Sequence, residues 1–197
     1  MALRLASVPL VAAIVVAGVW LTGGVVTDDF RLAMGLTALF FVLAGAAAVL
    51  VGRRRADLRV PVIGTFVLVT VLVGGYLAYG SLVDRTVNEA LASGPVAAAG
   101  EFRSHAHETS GTARVVGRRL QLIDLDTDPG PDLRVYVVAG AYGGGDVGDH
   151  VDLGGLKGNK GTQEYELPAG LDLARYAVVV VWCRAFSVAF GSAVLSP

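Results

Sequence analysis

The chain has 197 residues, 54% of them apolar and 17% charged, with a formal net charge of -1. A soluble domain holds about 45–50% apolar and about 25% charged residues, so this composition excludes one ordinary globular unit and points to lipid. Near-neutral charge excludes a nucleic-acid binder held mainly by phosphate contacts, and a single cysteine, Cys183, excludes an intramolecular disulfide framework.

Three stretches, 5–26, 32–51 and 60–79, run about 20 residues each without an acid, a base or a histidine. At 1.5 Å rise per residue each crosses a hydrocarbon core of about 30 Å, which predicts three transmembrane helices. Gly18, Gly35, Gly45 and Gly64 within them suit close helix packing in lipid, and Pro9 and Pro61 are read as lying near helix starts. A cleaved signal peptide over 1–26 is the competing reading. Against it, the apolar run exceeds the usual length of about 7–15 residues and no small-x-small site closes it.

The second connection holds Arg53, Arg54, Arg55 and Arg59 against Asp57, while the first holds Asp28, Asp29 and Arg31. The positive-inside rule then places the arginine loop and the N-terminus with Arg4 in the cytoplasm, and everything after about Gly80 outside. Residues 1–80 are read as a three-helix anchor and 81–100, with its Ser-Gly-Pro and alanine run, as a juxtamembrane stalk and linker.

Residues 101–197 carry 12 of the 17 acids, 9 of the 16 bases, all three histidines and the cysteine. Short apolar runs at 112–116, 119–125, 133–139, 163–167 and 176–182 predict strands, the last (YAVVVVW) buried on both faces. In 119–125, Leu120 and Leu122 share one face with Asp124, and Gln121, Ile123 and Leu125 share the other. Asp128-Pro-Gly-Pro-Asp and the glycine-rich 140–161 between these runs are turn or loop signals, and strands at this spacing predict an antiparallel β-sandwich or barrel.

Four segments resemble the DM13 domain: Glu101-Phe-Arg-Ser-His-Ala-His, Asp128-Pro-Gly-Pro-Asp-Leu-Arg-Val-Tyr, Leu153-Gly-Gly-Leu-Lys-Gly-Asn-Lys-Gly and Val181-Trp-Cys-Arg-Ala-Phe-Ser-Val-Ala-Phe-Gly-Ser-Ala. The resemblance spans residues 100–196 and leaves the helices outside. It implies a small extracytoplasmic β domain with a part in electron transfer or oxidative modification, and Cys183 as redox centre, either a bare thiol or a ligand to a group such as haem.

The residues themselves leave alternatives open. A free cysteine often simply packs, and on an ideal strand Cys183 and Arg184 face opposite ways, so only a bulge or strand end would let the guanidinium lower the thiol pKa. His105 and His107, one residue apart, would project from one strand face and could chelate a metal or bracket a cofactor. With Cys183 they would form a thiolate and imidazole set suited to copper, zinc or haem, so the cofactor is left as haem, a transition metal or none. The opposing reading makes both histidines surface residues on an edge strand. His150, in the glycine-rich loop, is read as solvent-exposed.

Asp124, Asp126, Asp128 and Asp132 resemble a calcium loop, but Gly130 comes one place late and Val135 stands where a bidentate glutamate is needed. Gly155–Thr162 lacks the Gly-Lys-Ser/Thr order of a phosphate loop, and Lys157 and Lys160 are read as decorating a hairpin. No nucleophile elbow occurs, and Glu164 and Glu166 share a strand face without a visible pocket. Three transmembrane α-helices followed by an all-β extracytoplasmic domain, an antiparallel β-sandwich, is therefore the expected architecture. The expected function is a multi-pass bacterial membrane protein with a redox module centred on Cys183. Its partners would be the lipid bilayer and a redox or envelope protein; the alternative is a non-enzymatic ligand- or partner-binding module.

Overall fold

A computed structural model describes residues 2–27 and 30–197; Asp28 and Asp29, half of the loop-charge argument, lie outside the described residues. The chain divides into two compact units, Met1–Ala78 and Tyr79–Pro197. The first contains α1 (Ala2–Gly24), α2 (Phe30–Arg54) and all but the last turn of α3 (Arg59–Leu82). Each is long and apolar enough to cross a membrane, and leucines and valines such as Leu43, Val71 and Leu72 stand exposed along them. That much exposed aliphatic surface is costly in water and neutral in lipid, so the helices suggest a membrane protein.

Of the helix glycines expected to allow close packing, Gly18 does so, whereas Gly35 and Gly64 have no neighbour within 4 Å of a Cβ position. A Cβ at Gly18 would collide with the Phe40 ring, so α1 and α2 approach at a distance only glycine permits. The same interface carries a hydroxyl contact between Thr22 and Thr37 at 2.9 Å. Pro9 lies inside α1 rather than near its start, because the helix begins at Ala2.

Beyond the last turn of α3 the second unit is built of strands: β1 (Thr86–Asn88), β2 (Val96–Ser104), β3 (Thr109–Val116), β4 (Arg119–Thr127), β5 (Leu133–Val138), β6 (His150–Gly155), β7 (Lys160–Glu166), β8 (Val178–Cys183) and β9 (Val188–Val194). They form one nine-stranded sheet in the order β1-β7-β4-β3-β2-β9-β8-β5-β6. Only the β1–β7 pair is parallel. The predicted sandwich of two stacked sheets is not confirmed: the sheet is continuous and curls into a half-barrel. The bend runs through β2, which pairs with β3 over Val96–Glu101 and with β9 over Phe102–Ser104. Gly100 sits at that changeover, where any Cβ would collide with the Val194 carbonyl.

The enclosed face buries Leu120, Leu122, Val135, Val179, Val181 and Phe190 around one core, each side chain contributing about 1.5–3 kcal/mol. On the opposite face, Tyr136, Val147, Val180, Trp182 and Ala189 form a second cluster. All six residues of β8 are therefore buried, as the continuous apolar run predicts.

Strand β4 departs from the predicted alternation. Its register with β3 and β7 shifts near Ile123–Asp124, and Asp124 takes a left-handed φ of 47°. This bulge puts Leu125, not Asp124, on the core face with Leu120 and Leu122. Opposite it, Gly111 has φ 114°, and a Cβ there would stand 2.8 Å from the Ile123 and Asp124 carbonyl oxygens, so the paired irregularity requires glycine.

Residues 81–100, expected as a stalk and linker, supply β1 and the first part of β2. Side chains of the 157–164 segment hold them. Lys157 Nζ donates to both Glu89 carboxylate oxygens at 2.8 Å and to the Glu164 carbonyl at 2.7 Å. Asn159 donates to Asp84 and Thr127 and accepts from the Arg85 amide, while Lys160 bridges Asp84 and Asp126. The two lysines thus do more than decorate a hairpin.

Candidate functional site

Strand β8 delivers Cys183 to the end of the enclosed face, paired with Leu133 on β5 and Val188 on β9. The side chain is fully buried among core aliphatics. Burial pushes the thiol from an ordinary value of 9.0 up to about 11, against a weaker opposing pull from the Asp132, Phe186 and Ala185 backbone. At neutral pH the group is a protonated thiol, whereas nucleophilic and metal-binding chemistry needs the thiolate. Arg184 leaves the strand and donates from Nε to Asp132 Oδ2 at 2.8 Å.

The histidines do not share a strand face, because β2 ends at Ser104 and both lie in the turn before β3. Nor is β2 an edge strand, since it lies between β3 and β9. His105 Nε2 meets Ser192 Oγ at 2.8 Å, and its ring makes an edge contact with Tyr142 at 5.5 Å. Ser192 pairs with Val180 of the outer cluster, so this imidazole lies across the sheet from Cys183. Burial lowers its pKa, which favours the neutral ring.

His107 turns the other way. It stacks on Phe190, a member of the enclosed core, at 3.8 Å, and its Nδ1 lies 2.9 Å from Asp128 Oδ2. His150, exposed as expected, stacks on Tyr136 at 4.3 Å.

The aspartates that resemble a calcium loop are separated in the same manner. Asp126 pairs with Lys160, Asp128 with His107 and Asp132 with Arg184. Glu164 accepts from the Ala92 amide and from Gln121, Glu166 pairs with Arg118, and Arg119 lies within ion-pair reach of both, so the two glutamates belong to a structural polar network. Sequence reasoning missed the buried amides: Gln121 and Gln163 are fully buried. A polar residue amid alternating apolar ones is the signal that marked them, and it reads equally well as an exposed position.

Residues 101–195 match the family Electron transfer DM13. No curated protein and no solved structure matches the chain. The match runs from Glu101 in β2 through β9 and so takes in most of the half-barrel. The clasp described above runs from inside it, at Lys157 and Asn159, to Asp84, Arg85 and Glu89 before it.

A common metal or haem shell would require Cys183, His105 and His107 to converge on one point. Among the described residues no group of three or more His, Cys, Asp or Glu side chains is placed to hold a metal ion. Cys183 is sealed in the core, His105 is on the other face, and His107 is engaged by Asp128 and Phe190. Of the buried side-chain polar atoms without a partner among the described residues, Thr70 Oγ1 lies in α3 and Arg134 Nε is a donor that cannot ligate. The three sequence-predicted ligands do not fit one first coordination shell.

Proposed function

We propose that this protein is a membrane-anchored electron-transfer module of the bacterial cell envelope, with its DM13 domain on the extracytoplasmic side. The match of residues 101–195 to an electron-transfer family carries the reading. Three apolar helices and the arginine-rich second connection support the anchor and its orientation. In this proposal the redox role does not run through Cys183, because a buried, protonated thiol is a poor nucleophile and ligand. Its partner is a redox protein or other envelope component that meets the domain outside the membrane.

Intact cells lacking the protein, and the same cells complemented with the full chain or with Cys183→Ala, test this through the rate at which they reduce a membrane-impermeant electron acceptor such as ferricyanide. The expected result is a lower rate in the deletion strain, restored by both chains. An unchanged rate in the deletion strain overturns the electron-transfer reading. Failure of Cys183→Ala to restore it, at equal protein level, returns the cysteine to the redox path. The burial of Cys183 also favours a second reading, a partner-binding module without redox chemistry of its own, and this reading expects the unchanged rate.

A further inference from the structure

The helical unit contains a cleft of about 360 Å³ between α1, α2 and α3. Its walls come from the N-terminal turns of α1 (Ser7, Leu10), the C-terminal turns of α2 (Ala47, Val51), Leu58 in the connection just before α3, and Phe66 in the second turn of α3. Those three helix ends therefore gather at one level. Among the described lining residues Ser7 is the single polar one, and its hydroxyl donates to the Arg4 carbonyl at 2.8 Å. The remainder is aliphatic apart from Phe66, a surface suited to a hydrocarbon chain.

The same end of the unit concentrates positive charge. Arg4 lies just ahead of Ser7, Arg53 and Arg54 follow Val51, and Arg55 and Arg59 flank Leu58. Asp57 is the one acid between residues 30 and 83, and Arg55 engages it at 3.2 Å. Arg53, Arg54 and Arg59 are exposed, and the Arg59 stem would lie 3.3 Å from a Cβ at Gly52, which keeps the connection tight beside the cleft. An apolar slot and a surplus of guanidinium groups at its end are the two halves of a receptor for an amphiphile with an anionic head.

We propose that this cleft binds an anionic phospholipid, with an acyl chain between the helices and the phosphate headgroup held by the arginines at the helix ends. Guanidinium groups pair with phosphate through forked N–H donors, and basic pockets between membrane helices recognise anionic headgroups by charge. The inference rests on the helices spanning a bilayer, as proposed above.

The test uses the full chain, solubilised in detergent, with phosphatidylglycerol and phosphatidylcholine of identical acyl chains offered together and bound lipid read by native mass spectrometry. The expected result is retention of phosphatidylglycerol in preference by roughly tenfold. The triple variant Arg53→Gln, Arg54→Gln, Arg59→Gln should bring the ratio close to one, and the corresponding triple lysine variant should keep most of it. Ala47→Phe, which fills the cleft, should reduce retention of both lipids. Equal retention by the unaltered chain, or an unchanged preference in the glutamine variant, overturns the headgroup half. Undiminished binding in Ala47→Phe, or full competition by glycerol phosphate lacking acyl chains, overturns the acyl-chain half. A chain that stays soluble without detergent and fails to enter liposomes would instead refute the membrane reading itself.

Discussion

Gln163→Leu should destabilise the C-terminal unit by about 2–5 kcal/mol although side-chain volume is nearly conserved. Gln163 is fully buried on β7. Its Oε1 accepts from the Lys157 amide at 3.0 Å, the Gly158 amide at 3.3 Å and the Tyr165 hydroxyl at 2.8 Å, and its Nε2 donates to the Gly158 carbonyl at 2.7 Å. Leucine leaves both Gly158 groups without those partners, and each orphaned buried polar group costs about 1–3 kcal/mol. The Lys157 amide and Tyr165 hydroxyl still have each other at 3.0 Å, which caps the loss. Because Lys157 and Asn159 clasp residues 84–89, the segment before β2 should loosen at the same time. Thermal unfolding of the full chain in detergent should show a midpoint more than about 10 °C lower, and a fall of under about 2 °C would contradict the network.

The second large effect is alkaline. A folded-state pKa raised above the unfolded value means that the native state holds the proton more tightly. That stability is fully present below the unfolded value and is lost as pH climbs through the folded one. For Cys183 the window runs from 9.0 to about 11, and at about 1.36 kcal/mol per unit the loss is roughly 2–3 kcal/mol. Tyr142, held up at about 12 by burial, adds to the slope above about pH 10. Denaturant unfolding at pH 8, 9, 10 and 11 should therefore show a shallower decline in Cys183→Ala than in the unaltered chain, even where alanine starts from lower stability through the cavity it leaves. Parallel declines would show that the thiol is not desolvated.

Hydrophobic runs were legible. The three helices and strands β3, β4, β5, β7 and β8 follow from length and β-branched content, and β8 from its unbroken valines. Strands β2 and β9 were not, because VAAAGEFRS and VAFGSAV are built from small residues with weak strand preference. Small side chains are what the bend at β2 tolerates, and Gly100 shows why. The Asp124 bulge was hidden since a period-two pattern carries no mark of an inserted residue.

The DM13 resemblance was legible in four ordered segments, and the family match confirms it. How those segments are used was less so. His105 and His107 look like a chelating pair only if the strand continues, and the turn after Ser104 sends them to different neighbours. Cys183, Arg184 and Asp132 adjoin in space, yet the strand end directs Arg184 to the aspartate and the thiol inward. Lys157 and Lys160 resemble loop decoration until their partners, Glu89 at 68 residues from Lys157 and Asp84 for Lys160, are seen.

Cys183 is buried in the core, and its reactivity separates a packed thiol from a redox centre. The most direct measurement is alkylation of the full chain in detergent at pH 8 by excess iodoacetamide, followed by intact-mass analysis with and without denaturant. The burial of the side chain and its raised pKa predict almost no labelling of the folded chain over minutes and complete single labelling once it is unfolded. Rapid, complete labelling of the folded chain would contradict it and restore the thiol as the candidate redox group.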